Sequence, residues 1–297
     1  MNKNERIEIL SLFDGISCLR QALKELNINV KNYYASEIDK NAIKVATANH
    51  PDIIQVGDVR KVNGSDYDNI SLMAFGSPCQ SLSSLKRART GLDSEDSGLF
   101  YEALRILNEV NPKFFIMENV ASMPDKDKNI ISNLLGVEPI RINSALVGPA
   151  LRDRLYWTNI PNVTIPKDRN VKLQDIIEDG FVDRDKATAI LTKAIPHTRN
   201  GLKRYLTKSI GQVVFHSKEF AELSKKEKLE QIESMTDVEV KALFRPFTVA
   251  ELEQCQTLPV GYVGNILKKT PSQHGIGNAF SLSIIKHIIR HADFGES

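Results

Sequence analysis

The sequence has very few cysteines, and none of them stands in a CxxC pair. Only three, Cys18, Cys79 and Cys255, occur in 297 residues. Three cysteines cannot all pair with one another, so a disulfide-stapled scaffold and a CxxC zinc or redox site are both disfavoured. A reducing compartment, the cytoplasm, is therefore expected. The six histidines lack metal spacing as well, since no glutamate follows His287, and no metal is expected.

Long apolar runs and a strong net charge are also absent. No stretch approaches the roughly 18 apolar residues that span a bilayer, and the charged N-terminal segment lacks the apolar region of a signal peptide. A membrane partner is therefore not expected. The formal net charge is only +2, so any nucleic-acid site has to come from local clustering of basic residues.

The first 160 residues alternate apolar runs with amphipathic segments. This pattern predicts an α/β fold, with a parallel sheet that is doubly wound by helices. A helix is predicted over 99–110. Strands are predicted over 7–13, 30–36, 53–56, 71–75 and 113–117, followed by an antiparallel pair, 141–146 with 154–158.

The chain changes character after about residue 160, and a two-domain arrangement is predicted. Residues 1–160 form the large domain, and 161–245, which are richer in charge and less periodic, form a smaller one. Residues 246–297 return to ordered helical signals and are expected to rejoin the large domain.

Polar residues and a glycine follow the first three predicted strands. Ligands of open α/β sheets bind where the carboxyl ends of the strands meet their helices. An acid after the second strand suits a ribose diol, and one after the third could accept from an adenine amino group. There is no GxGxxG, which disfavours a dinucleotide oxidoreductase. Helix N-capping is the alternative role of these acids. The predicted adenosine-type site comprises Phe13, Asp14, Gly15, Ile16, Ser17, Glu37, Ile38, Asp58 and Val59.

The fourth predicted strand ends in Gly76 and leads into Pro78-Cys79-Gln80. A Pro-Cys-Gln segment in this position resembles the catalytic loop of the DNA cytosine-C5 methyltransferases. The resemblance is strongest to the bacterial and phage enzymes and to the catalytic domain of the animal de novo DNA methyltransferases. It continues in order along the chain through Phe13-Asp14-Gly15, Glu118-Asn119-Val120, Arg152-Asp153-Arg154 and Gly275-Ile276-Gly277-Asn278-Ala279-Phe280.

The resemblance implies a Rossmann-like class I methyltransferase sheet with a target-recognition domain over 161–245. It implies S-adenosylmethionine as methyl donor and S-adenosylhomocysteine as product. Ser17 and Ala150 depart from the family pattern, which usually has a glycine and a glutamine there. Further cofactor contacts implied by the resemblance are Gly76, Pro78, Leu99, Asn278, Ala279 and Phe280.

The same resemblance assigns the chemistry of the base. Cys79 would add to C6 of a flipped cytosine, so that C5 can accept the methyl group. Glu118 would bind N3, and Arg154 would bind O2 with support from Arg152. Asn119 would position the cysteine loop, and the Pro78 ring fixes the backbone just before the nucleophile.

Double-stranded DNA is the partner that the resemblance implies, with a cognate restriction endonuclease as a further one. The protein would then be bacterial or phage-encoded and associated with the nucleoid through DNA. An RNA cytosine-C5 methyltransferase of the same fold and a catalytically silent DNA-binding homologue stay open as alternatives. Candidate DNA contacts lie in the polar loop 81–98, beside the cysteine and in a basic cluster of the smaller domain: Gln80, Ser83, Lys86, Arg87, Arg89, Arg199, Lys203 and Arg204.

Overall fold

The computed structural model describes residues 6–76, 95–188, 196, 198–208 and 211–295. The chain divides into two compact units. Unit 1 comprises Met1–Asn143, Asp153–Pro166 and Phe280–Ser297, and unit 2 comprises Ser144–Arg152 and Lys167–Ala279. These bounds differ from the predicted ones, because residues 246–279 group with unit 2 and only the last 18 residues return to unit 1.

The strands of unit 1 form one twisted sheet. They are β1 (Ile7–Leu12), β2 (Val30–Ser36), β3 (Ile53–Gln55), β4 (Ile70–Phe75), β5 (Phe114–Val120), β6 (Ile140–Asn143) and β7 (Asp153–Thr158). Their order is β3-β2-β1-β4-β5-β7-β6. All pairs are parallel except those of β7, which runs antiparallel to β5 and β6. The predicted doubly wound α/β fold is confirmed.

Helices cover both faces of this sheet, which explains why its central strands are apolar along their length. Every residue of β5 is buried, as expected for a strand that is shielded on both sides. Trp157, Phe75 and Met117 are completely buried in the main core. The helices of unit 1 are α1 (Cys18–Glu25), α2 (Lys40–Asn49), α3 (Glu95–Val110), α4 (Asp125–Leu135) and α11 (Leu282–Ile289).

The strand order reverses between β1 and β4. Helices from successive strands then lie on opposite faces, which leaves a crevice at the carboxyl ends of the strands. The turn after β1, the segments after β2 and β3, and the end of β4 all lie at this edge. The predicted cofactor residues are therefore brought to one edge of the sheet.

Unit 2 consists of short elements around a separate core. Leu202, Tyr205, Phe215, Ile232 and Phe244 are among its buried residues. Reciprocal Ser or Thr and Glu capping boxes begin three of its helices, which fixes where short helices start. Its elements are α5 (Arg199–Lys208), β8 (Val214–Phe215), α6 (Lys218–Glu222), α7 (Lys225–Glu233), α8 (Asp237–Lys241), β9 (Phe244–Arg245), α9 (Val249–Cys255) and α10 (Lys269–Asn278). Within the described ranges, no helix has the length and apolar character to cross a membrane.

Candidate active site

The turn that follows β1 is held in a left-handed conformation at three positions. Phe13, Gly15 and Ser17 have φ angles of 53°, 59° and 60°. This region costs a residue with a side chain roughly 1–2 kcal/mol, so the surrounding contacts must hold the turn in place. The backbone N–H of Asp14 donates to Ser36 O at 3.2 Å, which ties the turn to the end of β2.

Asp14 stabilises this turn by accepting hydrogen bonds from two hydroxyl groups. Its Oδ1 accepts from the Tyr33 hydroxyl at 2.6 Å, and its Oδ2 accepts from the Ser17 hydroxyl. Burial raises the pKa of Asp14 to about 6, against the lowering effect of these hydrogen bonds. The sequence predicted Asp14 as a cofactor contact. Because the Asp14 side chain is buried and both of its oxygens accept hydrogen bonds within the protein, we infer that Asp14 contributes by holding the turn.

Glu37 connects this turn with the segment after β2. Its Oε2 accepts from the Gly15 N–H at 2.8 Å, and its Oε1 accepts from the backbone N–H groups of Ile38 and Asp39 at 2.7 and 2.8 Å. These contacts leave acceptor capacity on Oε2. The adjacent Ile38 side chain is 67% exposed, which offers apolar surface beside the acid.

Asp58 follows β3 and caps a short 3-10 turn, Val59–Lys61, by accepting from Arg60 N at 3.0 Å. Asp58 therefore has the alternative role that the sequence analysis gave for these acids, which is to cap a helical turn. The Arg60 guanidinium also bonds this carboxylate and holds the pKa of Asp58 at about 2. Val59, predicted as a cofactor contact, is a buried residue of the main core.

Gly76 directly follows β4, and an aromatic ring lies against its backbone. A Cβ at this position would lie 3.0 Å from Phe280 Cε1 and 3.6 Å from Glu118 O. The ring therefore packs on bare backbone at the point where the cysteine loop begins. Leu99 and Phe13 both pack against the main core from partly buried positions. Gly76 and Phe280, two of the predicted cofactor residues, therefore lie close together in unit 1.

Glu118 and Arg154 face one another across the antiparallel pair of β5 and β7. Val120 is registered with Arg154, and Glu118 with Tyr156. Arg154 Nε lies 3.0 Å from Glu118 Oε1, and both side chains are largely buried. Arg154 Nη1 also donates to the Asp153 carbonyl at 3.0 Å. A buried carboxylate thus stands beside a guanidinium that is anchored to its own strand.

Asn119, the next residue on β5, is almost completely buried. Its Oδ1 accepts from Val120 N at 2.8 Å, but its Nδ2 has no hydrogen-bond partner among the described residues. A buried donor without a partner costs about 1–3 kcal/mol. The Nδ2 group is therefore suited to bind a chain segment or ligand beyond those residues.

Three other predicted residues lie in unit 2. Arg152 Nη1 donates to Gly277 O at 3.0 Å. Asn278 ends α10, where its Nδ2 lies 3.4 Å from His274 Nε2, and the buried Ala279 follows it. Arg152 therefore packs with the C-terminal motif of unit 2, whereas Arg154 and Glu118 belong to unit 1.

The basic cluster predicted for DNA contact lies on α5 and is partly neutralised. Arg199 donates through Nη1 to the Glu233 carbonyl, and Lys203 Nζ lies 2.5 Å from Glu233 Oε2. Arg204 is exposed. The other predicted residues of the loop lie outside the described ranges: Pro78, Cys79, Gln80, Ser83, Lys86, Arg87 and Arg89.

Two contributors to the site were missed by the sequence reasoning. Tyr33 lies within β2, where its aromatic ring reads simply as a strand residue, and no local signal connects its hydroxyl with Asp14. Arg60 lies two residues after Asp58, a spacing at which a guanidinium can reach back to a capping acid. Of these two contacts, only the one between Arg60 and Asp58 could have been predicted from the sequence.

The N-terminal part of the chain is similar in sequence to known proteins. Residues 7–137 match the family described as C-5 cytosine-specific DNA methylase. An orphan methyltransferase of Bacillus phage SPR is 30% identical over 190 residues, covering 59% of this chain and 43% of that protein. A type II methyltransferase of Neisseria lactamica is 28% identical over 202 residues, covering 60% of this chain and 48% of that protein. The chain spans about half the length of the curated relatives it matches.

Among solved structures, a mutant of Spodoptera frugiperda DNMT2 superimposes with a TM-score of 0.67 at 17% identity. The match covers 96% of this chain and 99% of that one. At this identity the likeness concerns the fold alone. It agrees with the methyltransferase type of α/β sheet that the sequence predicted.

Proposed function

We propose that this protein is an S-adenosylmethionine-dependent DNA cytosine-C5 methyltransferase, because residues 7–137 match the family described as C-5 cytosine-specific DNA methylase. The observation that carries the proposal is the ion pair of Glu118 and Arg154 on adjacent strands. The largely buried carboxylate of Glu118 is suited to N3 and the neighbouring amine of a cytosine ring. The anchored guanidinium of Arg154 is suited to O2 of the same ring. The family match and this pair support the same chemistry.

The proposed reaction begins with the thiolate of Cys79. Its addition to C6 of a flipped cytosine makes C5 nucleophilic enough to take a methyl group. Negative charge develops on the ring, and Glu118 places a proton at N3 while Arg154 binds O2. After methyl transfer, a water molecule takes the proton from C5, the sulfur leaves C6 as a thiolate, and N3 returns its proton to Glu118, which restores aromaticity and the free enzyme.

The cofactor proposed for this site is S-adenosylmethionine, which supplies an electrophilic methyl group. The residues present fit it. Glu37 keeps acceptor capacity for a ribose diol, and the exposed Ile38 offers an apolar surface to the adenine ring. The left-handed turn at Gly15 lets the backbone approach the ligand closely. Asp14 holds that turn from inside, and Phe280 covers Gly76.

We further propose that Asn119 positions the cysteine loop, which follows Gly76 directly. The Nδ2 group of Asn119 is buried without a partner in the part of the chain that the structure describes. A carbonyl oxygen of the loop would satisfy it. The rigid ring of Pro78 would then set the direction of Cys79.

Double-stranded DNA is favoured over RNA as substrate because the matching family is described as a DNA methylase. To test this, purified protein is incubated with radiolabelled S-adenosylmethionine and either duplex DNA or tRNA. We expect label on DNA, at C5 of cytosine. Label on tRNA alone would overturn the DNA assignment. No transfer to either, from a protein that binds DNA, would favour the catalytically silent DNA-binding homologue instead.

Association with a restriction endonuclease stays a prediction.

The second unit provides a prediction about DNA binding. Arg204 and Lys208 are exposed on α5, and neither forms an ion pair with any described residue, whereas Lys203 is bound by Glu233. Replacing both free cations by glutamine should weaken binding to duplex DNA. If each contacts a phosphate, the slope of log K against log salt should fall by about 1.8.

Fluorescence anisotropy with a labelled duplex, measured from low to high salt, gives this slope. The matched control is Lys203→Gln on the same helix, which should leave the slope nearly unchanged because Glu233 already neutralises that charge. A change of slope in the control half as large as that in the double variant, in proportion to the charge removed, would mean that α5 acts only through its net charge.

A further inference from the structure

The carboxylate of Asp58 is already occupied by a neighbouring side chain. Arg60 reaches it through Nε at 3.0 Å from Oδ1 and 3.1 Å from Oδ2, and through Nη2 at 2.5 Å from Oδ2. Its backbone N–H adds a bond to Oδ1 at 3.0 Å. These contacts come from three N–H groups of Arg60, because its one Nε–H is shared between both oxygens, and together they engage both carboxylate oxygens. A ligand N–H that bonds Asp58 therefore competes with the arginine for these oxygens.

The acid is fixed in place, and the arginine is free to move. Ser36 Oγ donates to Gly57 O at 2.7 Å, which ties the residue before Asp58 to the end of β2. The Asp58 carbonyl also accepts from Lys61 N at 2.9 Å. The Asp58 side chain is 20% exposed, but that of Arg60 is 64% exposed. When the two compete with a ligand, Arg60 is therefore the group that leaves.

We propose that Arg60 is an affinity-setting residue of the cofactor site, an internal competitor that holds Asp58 until the adenine 6-amino group displaces its guanidinium. This inference rests on the proposed function and on the prediction from the sequence that Asp58, the acid after the third strand, accepts from that amino group. It adds a residue that acts against cofactor binding. Its effect is to weaken the complex with cofactor and product alike, which favours release of S-adenosylhomocysteine after each turnover.

Two features of the surroundings agree with this role. The bond with Arg60 is the largest cause that lowers the pKa of Asp58 to about 2. The hydrogen bond to Asp58 is in turn the largest cause that raises the pKa of Arg60, and the negative charge of Glu102 on α3 raises it further. The guanidinium therefore has a second acid within electrostatic range, toward which it can turn when it leaves Asp58.

The first test is the affinity for S-adenosylhomocysteine, measured by titration calorimetry on wild type, Arg60→Met and the control Lys61→Met. This ligand carries no sulfonium charge, so simple repulsion by the arginine contributes little. We expect Arg60→Met to bind about two- to fivefold more tightly, the size of effect that an exposed ion pair produces. Lys61→Met removes the same charge one residue away and should bind as wild type does.

The second test separates competition from a general change in the pocket. The analogue with oxygen in place of the adenine 6-amino group cannot donate to Asp58, so its affinity should be the same for wild type and Arg60→Met. NMR titration gives a readout that is independent of the ligand. The pKa of Asp58 should rise from about 2 toward its ordinary value near 3.8 in Arg60→Met and stay low in Lys61→Met.

Three outcomes would overturn the inference. They are an Arg60→Met protein that binds S-adenosylhomocysteine no better than wild type, an equal gain for the 6-oxo analogue, and an equal gain in Lys61→Met. A wild-type protein that binds no S-adenosylhomocysteine at all would overturn the proposed function and this inference with it. Binding with unchanged affinity in Arg60→Met overturns the inference alone.

Discussion

A Cys79→Ala protein is expected to bind S-adenosylhomocysteine and duplex DNA as wild type does, yet to lose methyl transfer by on the order of 10^4-fold or more. Without the thiolate, C5 of cytosine stays too weak a nucleophile to attack the methyl donor. The measurement is single-turnover transfer of labelled methyl groups to duplex DNA. A variant that retained transfer within tenfold of wild type would refute the nucleophile.

The covalent step has its own signature. With 5-fluorocytosine at the target position, wild type should form an adduct that survives denaturing electrophoresis, since fluorine at C5 blocks the final elimination. Cys79→Ala should form none. The matched control is Cys255→Ala. Burial raises the pKa of the Cys255 thiol, so it is an unreactive core group, and its replacement should leave adduct formation intact.

Replacing Glu118 by glutamine is the second change with a large expected effect. The amide cannot deliver a proton to N3, so methyl transfer should fall by roughly 10^2 to 10^4. Folding should suffer as well, because Arg154 loses its carboxylate partner at 3.0 Å. Removing one partner of a buried ion pair costs about 3–5 kcal/mol.

Urea unfolding and methyl transfer, measured on the same variants, separate these two effects. In the double variant Glu118→Gln, Arg154→Gln, the stability losses should be smaller than the sum of the single losses, because neither group is left as an unpaired charge. The loss of activity should persist in the double variant. As control, Glu25→Gln breaks another ion pair of unit 1, the one with Lys286, and should leave transfer unchanged. Full activity in Glu118→Gln would refute its catalytic role.

The sheet of unit 1 was predictable because its strands bury apolar side chains on both faces. The strand over 30–36 was predicted with its observed bounds, and 7–13 differs by one residue from β1. The same property allowed the site to be predicted, because polar residues next to apolar strands indicate where a ligand can bind. Glu37 and Gly76 directly follow β2 and β4, and Glu118 lies two residues before the end of β5.

Contacts between distant side chains were not predictable in the same way. The Tyr33 hydroxyl contacts Asp14 only because β1 and β2 are neighbours in the sheet.

The C-terminal bound of unit 2 was not predicted for a related reason, because it depends on contacts between distant residues. Glu251 of α9 is completely buried and pairs with Arg245 of β9 at 2.7 Å. It also accepts from Glu178 N at 3.1 Å, and these bonds keep α9 within unit 2.

The last helix of unit 1 sets the order in which the protein can mature. Ile284, Ile285, Ile288 and Ile289 of α11 are completely buried, and Lys286 pairs with Glu25 of α1. A ribosome makes the chain from its N-terminus, so all of unit 2 emerges before this helix does. Until then the nascent protein exposes the apolar surface that α11 covers. The core of unit 1 can therefore close only after α11 has been synthesised.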